Sequence, residues 1–202
     1  MDTIGGKNVV YYKRADIKKT LDNDPKLIHH KKFIELFTGY IVSVLLEKDN
    51  GLNLMVGFPL KNIIKHNLPI SGPSLLEIIN NPNIIDDTDI DICIGDSDIY
   101  YPCQITRIIS RGKRNIMYDD LLRILKKKLM VQPDNATILI INIECDIIIE
   151  NDLLGAFLKE RTIPYKYVFL VGKPTNDPGK FICYQVYPNL GMSEICDIGI
   201  PL

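Results

Sequence analysis

Six aspartates, Asp86, Asp87, Asp89, Asp91, Asp96 and Asp98, fall in a stretch that contains no lysine or arginine. Carboxylates at this density suit a hard divalent cation, which prefers oxygen ligands. The next stretch has the opposite sign. Arg107, Arg111, Lys113, Arg114, Arg123, Lys126, Lys127 and Lys128 supply eight cations against Asp119 and Asp120. An acidic cation-binding spot beside a basic surface is what phosphodiester hydrolysis needs, metal ligands for the scissile phosphate and cations for the flanking backbone. Charge runs also occur as plain solvated faces, so the elements that position these residues matter.

Residues 89–94 alternate Asp-Ile-Asp-Ile-Cys-Ile, the period-2 pattern of a half-buried strand. It predicts Ile90, Ile92 and Ile94 on one face and Asp89, Asp91 and Cys93 on the other. Gly95-Asp96-Ser97-Asp98 is turn chemistry, and residues 99–109 read as the partner strand of a hairpin, with Gln104 and Thr106 on one side. With the two polar faces together, Asp91, Gln104 and Thr106 meet on one surface. Asp89 shares that face, but about 6.6 Å of strand rise separates it from Asp91, so a common shell requires bridging water.

An Asp on one strand followed by Gln104-Ile105-Thr106-Arg107 on the next resembles the restriction-endonuclease-like (PD-(D/E)XK) fold, and within it the Mrr-type nucleases, where the second strand carries Gln-x-Lys. With its surrounding elements the resemblance covers residues 31–173. It implies an α/β fold, a mixed sheet flanked by helices, and a Mg²⁺-dependent endonuclease acting on DNA. It casts Asp91, Gln104 and Thr106 as the catalytic positions and Asp91 and Gln104 as Mg²⁺ ligands, with Glu35 approaching from the first core helix. Arg107, Arg111, Lys113, Arg114 and Lys126 are the residues expected on nucleic acid. The chain departs from the pattern at Thr106, which stands where the lysine belongs and carries no charge. Arg107 lies on the opposite face of a regular strand, and its pKa is too high for a base. One carboxylate with a neutral amide is also a weak Mg²⁺ site. Three functions therefore stay open: a nuclease whose lysine comes from elsewhere, such as Lys113 or Lys126; a degenerate nuclease-like subunit that binds DNA in a DNA-processing or defence assembly; and an unrelated α/β interaction or assembly module without nucleic acid.

The rest of the chain supplies a scaffold of suitable size. Its 202 residues suit one domain, large enough to bury about 70% of its unfolded surface. It divides into an N-terminal arm (1–30), a nuclease-like core (31–173) and a terminal strand and tail (174–202), the tail packing on the body or on a second subunit. Within the arm, a strand over 8–12 and a short helix over 16–21 are expected. Helical spacing of Phe33, Ile34, Leu36, Phe37, Tyr40, Ile41, Val44 and Leu45 predicts a helix over 32–47, stopped at Asn50-Gly51. Residues 52–60 read as a strand weakened by Gly57 and Pro59, and 62–67 as a short helix or turn. Ser74 and Glu77 form a capping box for a helical turn over 75–80, which leaves Glu77 a minor metal-ligand candidate. Further helices are predicted over 118–130 and 150–161, buried strands over 136–143 and 165–171, and a further strand over 181–187.

No Gly-rich phosphate loop or GxSxG elbow occurs. The five cysteines are scattered and include no CxxC pair, which fits free thiols in a reducing compartment and disfavours zinc. His29 and His30, beside Lys31 and Lys32, read as a solvated helix entrance. Without a signal-type apolar segment or a membrane-length apolar run, a cytoplasmic, non-membrane protein is expected, with a protein partner or homo-oligomer open.

The basic stretch yields a direct test. Replacing Arg111, Lys113 and Arg114 together by alanine should weaken duplex-DNA binding and flatten its log-log salt dependence by about 0.9 for each phosphate that these side chains neutralise. Unchanged binding across a salt titration would remove these residues from any nucleic-acid surface.

Overall fold

A computed structural model describes residues 2–4, 7–50, 53–61, 72–85, 90–96, 98–108, 118–130, 136–144, 151–172 and 180–196. Among these, nine strands form one mixed sheet in sequential order. The strands are β1 (Asp2–Ile4), β2 (Lys7–Tyr12), β3 (Met55–Leu60), β4 (Ile92–Gly95), β5 (Tyr100–Ile108), β6 (Ile138–Ile143), β7 (Tyr167–Gly172), β8 (Lys180–Tyr187) and β9 (Gly191–Cys196). Neighbours are antiparallel throughout β1 to β5 and β7 to β9. The central pairs β5/β6 and β6/β7 are parallel. The helices are α1 (Arg14–Asn23), α2 (Lys31–Asn50), α3 (Leu75–Asn80), α4 (Tyr118–Met130) and α5 (Asn151–Lys159).

Two layers of helix cover the sheet. On one face α2 lays Phe33, Leu36, Phe37, Tyr40 and Ile41 against Val56, Phe58, Ile92, Ile94, Cys103, Ile138, Ile140 and Phe169, with α1 and α3 extending the same core. On the other face Leu121, Leu125 and Leu129 of α4 and Leu154 of α5 pack on Leu139, Ile141, Val168 and Leu170. The latter helices are the crossovers between parallel strands. Both connections step the same way across the sheet, and a uniform hand of crossover puts both helices on the same face. Every residue of β6 is buried, as its unbroken apolar run requires of a strand covered on both sides.

The arm of residues 1–30 is built into this body. Val10, Tyr12, Ile17, Leu21 and Leu27 belong to the α2-side core, and β2 pairs with β3 from Asn8 to Tyr12. Tyr40 of α2 donates its hydroxyl to the Tyr12 carbonyl, fastening the long helix to the end of β2. Part of the tail is likewise a strand, β9 on β8. Gly57 and Pro59, read as weakening residues 52–60, sit in a buried strand. The predicted turn over 62–67 lies outside the described residues. No helix among the described residues is long and apolar enough to cross a membrane.

Two glycines set how closely these layers approach. A Cβ on Gly39 of α2 would meet Ile92 Cδ1 at 2.2 Å, and one on Gly57 would meet the Val10 carbonyl oxygen at 2.2 Å. A side-chain tip can move and a strand backbone cannot, so the two substitutions should differ. Gly57→Ala is expected to lower stability by about 1–3 kcal/mol. Gly39→Ala should cost less, because Ala gains up to about 1 kcal/mol of helix propensity over Gly. Urea unfolding of both variants reads the difference, and a costlier Gly39→Ala would mean that Ile92 has no room to turn.

Candidate functional site

The central hairpin forms as its turn chemistry requires. Asp96 Oδ1 accepts from the backbone of Asp98 and Ile99, both at 2.8 Å, and Asp96 N–H donates to the Ile99 carbonyl at 2.9 Å. Ile92 pairs with Cys103, Cys93 with Pro102 and Ile94 with Tyr101.

The strict alternation expected of residues 89–94 breaks at Asp91. Its N–H donates to the Cys103 carbonyl at 2.9 Å, although Cys103 is already the register partner of Ile92. Two residues of one strand thus face one of the other, a β-bulge. The packing carries the same signature. Ile92 and Ile94 lie in the α2-side core, whereas Ile90 packs with Val9 and Cys93 on the opposite face. Asp91 consequently faces α2 together with Ile92, and not the Cys93 side that period 2 gave it.

Gln104 and Thr106 lie across the sheet from Asp91. Gln104 is the register partner of Leu139 and Thr106 of Ile141, both in the α4/α5-side core. Gln104 Oε1 accepts from the Tyr165 hydroxyl at 2.9 Å, and Tyr165 belongs to that same core. The shared surface of Asp91, Gln104 and Thr106 does not form, because the bulge shifts Asp91 by half a strand period. The β5 residues on Asp91's side are Cys103, Ile105 and Arg107.

What does join Asp91 is Glu35. This glutamate is 1% exposed on the sheet-facing side of α2. Lys32 Nζ lies 2.8 Å from Oε2 and Lys31 Nζ 3.4 Å from Oε1. The Lys32 contact lacks hydrogen-bond geometry, so Glu35 Oε2 is buried beside a counter-charge with no directed donor. Asp91 Oδ2 accepts from Ile105 N–H at 2.7 Å, the amide that β4 leaves unpaired where the ladder ends. Burial pushes the Asp91 carboxyl above its ordinary range; the Ile105 hydrogen bond opposes this, the Glu35 charge adds to it, and Lys32 and Lys31 pull it back. Two carboxylates and two ammonium groups thus share one field at the start of α2.

Arg107 completes this end of the sheet. Its Nε and Nη2 lie 2.7 and 2.6 Å from Glu144 Oε1, and Asn142 Nδ2 donates to the same oxygen at 3.1 Å. Lys126, exposed on α4, lies on the far face and lines a groove of about 450 Å³ with Leu129, Met130, Glu160, Arg161 and Thr162. Arg111, Lys113, Arg114 and Asp89 lie outside the described residues. Glu77 is taken up as a cap: Ser74 N–H donates to its Oε2 at 2.6 Å and Ser74 Oγ accepts from its N–H at 3.3 Å. The Ser74 backbone N–H, and then the Ser74 hydroxyl, hold the Glu77 carboxyl below the usual range. No group of three His, Cys, Asp or Glu among the described residues could hold a metal ion. Cys93, Cys103 and Cys183 are buried free thiols, as their apolar settings suggested. The sequence reading missed Lys32, Asn142 and Glu144, and only Lys32, three residues before Glu35 on one helix, had a local signal.

No protein-family model, curated protein or solved structure matches the chain.

The raised Asp91 carboxyl fixes the sign of a pH effect. A group whose folded pKa exceeds its unfolded value costs stability once ionised, so this cost grows as pH rises from the ordinary 3.8 through the raised value. Asp91→Asn keeps an acceptor for Ile105 N–H and removes the charge. In EDTA the variant should be more stable than the native chain at neutral pH, with the gap closing as pH falls below the ordinary carboxylate value. Urea midpoints against pH report this, and a variant less stable at neutral pH would mean that the Lys31 and Lys32 charges outweigh burial.

Proposed function

We propose that this chain is a restriction-endonuclease-like domain that binds nucleic acid, with DNA as the expected ligand, and has lost efficient cleavage. The observation that carries the reading is that Glu35, buried on α2 and paired with Lys31 and Lys32, faces the same side of the sheet as Asp91 and its charge is felt there. The element order supports it. Helix α2, the β4/β5 hairpin, helix α4, strand β6, helix α5 and strand β7 follow the order of the resembled core, with β3 and α3 between α2 and the hairpin, and Glu35 stands on the helix from which that family brings a carboxylate.

The same geometry argues against turnover. Gln104 faces the other layer, and Ile105 occupies the β5 position beside Asp91. Thr106 brings no cation, and Lys32, the ammonium nearest the carboxylates, is held by Glu35. Glu35 and Asp91 are the two carboxylates that would hold a Mg²⁺ ion on this face, in competition with the Lys32 ammonium 2.8 Å from Glu35 Oε2. Such a two-carboxylate site is weak. When bound, the ion would polarise a phosphoryl oxygen, and Thr106 stands in the motif where the resembled family has the lysine that orients the attacking water. A DNA-processing or defence assembly, in a cytoplasmic setting, is the role this chemistry fits.

A second reading, a non-catalytic interaction or assembly module that pairs with another protein or itself, draws on one observation. Met130 is 76% exposed at the rim of the α4/α5 groove.

Two measurements separate these readings. Mn²⁺ should raise the melting temperature of the native chain and not that of Asp91→Asn or Glu35→Gln, because a ligand stabilises only the state that binds it. The native chain should bind duplex DNA with strong salt dependence while nicking it slowly or not at all in Mg²⁺ or Mn²⁺. Rapid nicking would overturn the loss of cleavage, and absence of both DNA binding and a Mn²⁺ shift would leave the assembly module.

A further inference from the structure

On the side of the sheet that holds Glu35 and Asp91, β5 presents a single cation. Ile105 packs against the α2-side core and Ile108 lies in the α4/α5-side core, so Arg107 faces the α2 side. It stands two residues beyond Ile105, whose N–H meets Asp91, at about 6.6 Å of strand rise. This is the C-terminal end of parallel strands β5 and β6, where open sheets containing parallel strands offer ligand sites.

The guanidinium is posed there by its neighbours. Asn142 is the β6 register partner of Arg107, and Glu144 follows directly after β6, its N–H bonded to the Ile108 carbonyl at 2.9 Å. One oxygen, Glu144 Oε1, takes Arg107 Nε, Arg107 Nη2 and Asn142 Nδ2. Only the side edge of the guanidinium is used. Its end edge, one hydrogen each of Nη1 and Nη2, has no hydrogen-bond partner among the described residues, and the side chain is 24% exposed. A planar fork fixed on one edge and open on the other matches two oxygens of an oxyanion.

We propose that Arg107, held in place by Glu144 and Asn142, is the phosphate clamp of the Glu35 and Asp91 face, taking two non-bridging oxygens of one phosphodiester group end-on. Glu144 and Asn142 are positioning residues that fix the plane of the fork. This rests on the nucleic-acid reading above.

The test is fluorescence anisotropy of a labelled DNA duplex titrated with the native chain and with Arg107→Ala, Arg107→Lys and Glu144→Gln. EDTA prevents cleavage, salt is varied, and urea unfolding of each variant checks its fold. Arg107→Ala should weaken binding about tenfold or more and reduce the salt slope by about 0.9. Arg107→Lys should keep the slope and lose affinity, since a point charge replaces the fork. Glu144→Gln should keep the slope with a smaller loss. A native chain that binds while Arg107→Ala, or Arg107→Lys should the alanine variant not fold, matches it in both affinity and slope overturns the clamp and leaves the nucleic-acid reading standing. A native chain that does not bind DNA overturns both.

Discussion

The constraint on which this site depends is the break in strand phase at Asp91. A regular strand would carry Asp91 to the face of Cys93 and Gln104, away from α2. One extra residue opposite Cys103 turns it toward Glu35 and exchanges the β5 residues it can meet, from Gln104 and Thr106 to Ile105 and Arg107. Side chains alternate with a period of two, so a shift of one residue reverses every facing relationship. The carboxylate also helps to hold the bulge, because it accepts the Ile105 N–H at the point where backbone pairing with β4 stops. A buried amide needs a partner, and Asp91 supplies one from the side chain.

Holding two carboxylates in this position carries a cost. Glu35 is almost fully buried, and desolvating a charge costs several kcal/mol unless counter-charges and hydrogen bonds offset it. Lys31 and Lys32 supply the counter-charge from the first turn of α2. Lys32 also lies over the Phe58 ring at 5.8 Å, so its stem and head are both engaged with the core. Basic residues at a helix start oppose the helix dipole, which makes the two lysines poor choices for helix stability alone. Their value lies in the carboxylates they neutralise.

Most of the architecture was legible in the chain. Periodicity placed α2, α4, α5, β6, β7 and β8 within a few residues of their ends, since each has a long apolar pattern of one period. The Ser74 and Glu77 cap was readable because a capping box is a purely local motif. Glu35 is buried and its charge is felt at Asp91, although composition alone makes a helix glutamate a solvated residue. Gln104 and Thr106 failed to join them for a reason that alternation hides. The sequence Ile90-Asp91-Ile92 looks the same with or without a bulge, and only the packing of Ile90 against Val9 and Cys93 reveals the slip. Glu144 and Asn142 were invisible because parallel pairing brings them to Arg107 from more than thirty residues away.

Among the described residues the charges on this face nearly cancel, Lys31, Lys32 and Arg107 against Glu35, Asp91 and Glu144. Near-neutrality has a consequence for ligand order. A phosphodiester arriving alone adds negative charge beside three carboxylates and gains little beyond the Arg107 fork. A divalent cation arriving alone must compete with Lys31 and Lys32 for Glu35. Bound together, each offsets the repulsion the other would meet, so on the nucleic-acid reading their affinities are coupled, and by linkage each raises the other by the same factor. Efficient hydrolysis would add to this a further cation at the attacking water. The bulge leaves Thr106, the strand position that resembles such a site, on the opposite face from Asp91, so on the nucleic-acid reading that further cation does not come from β5 at this position.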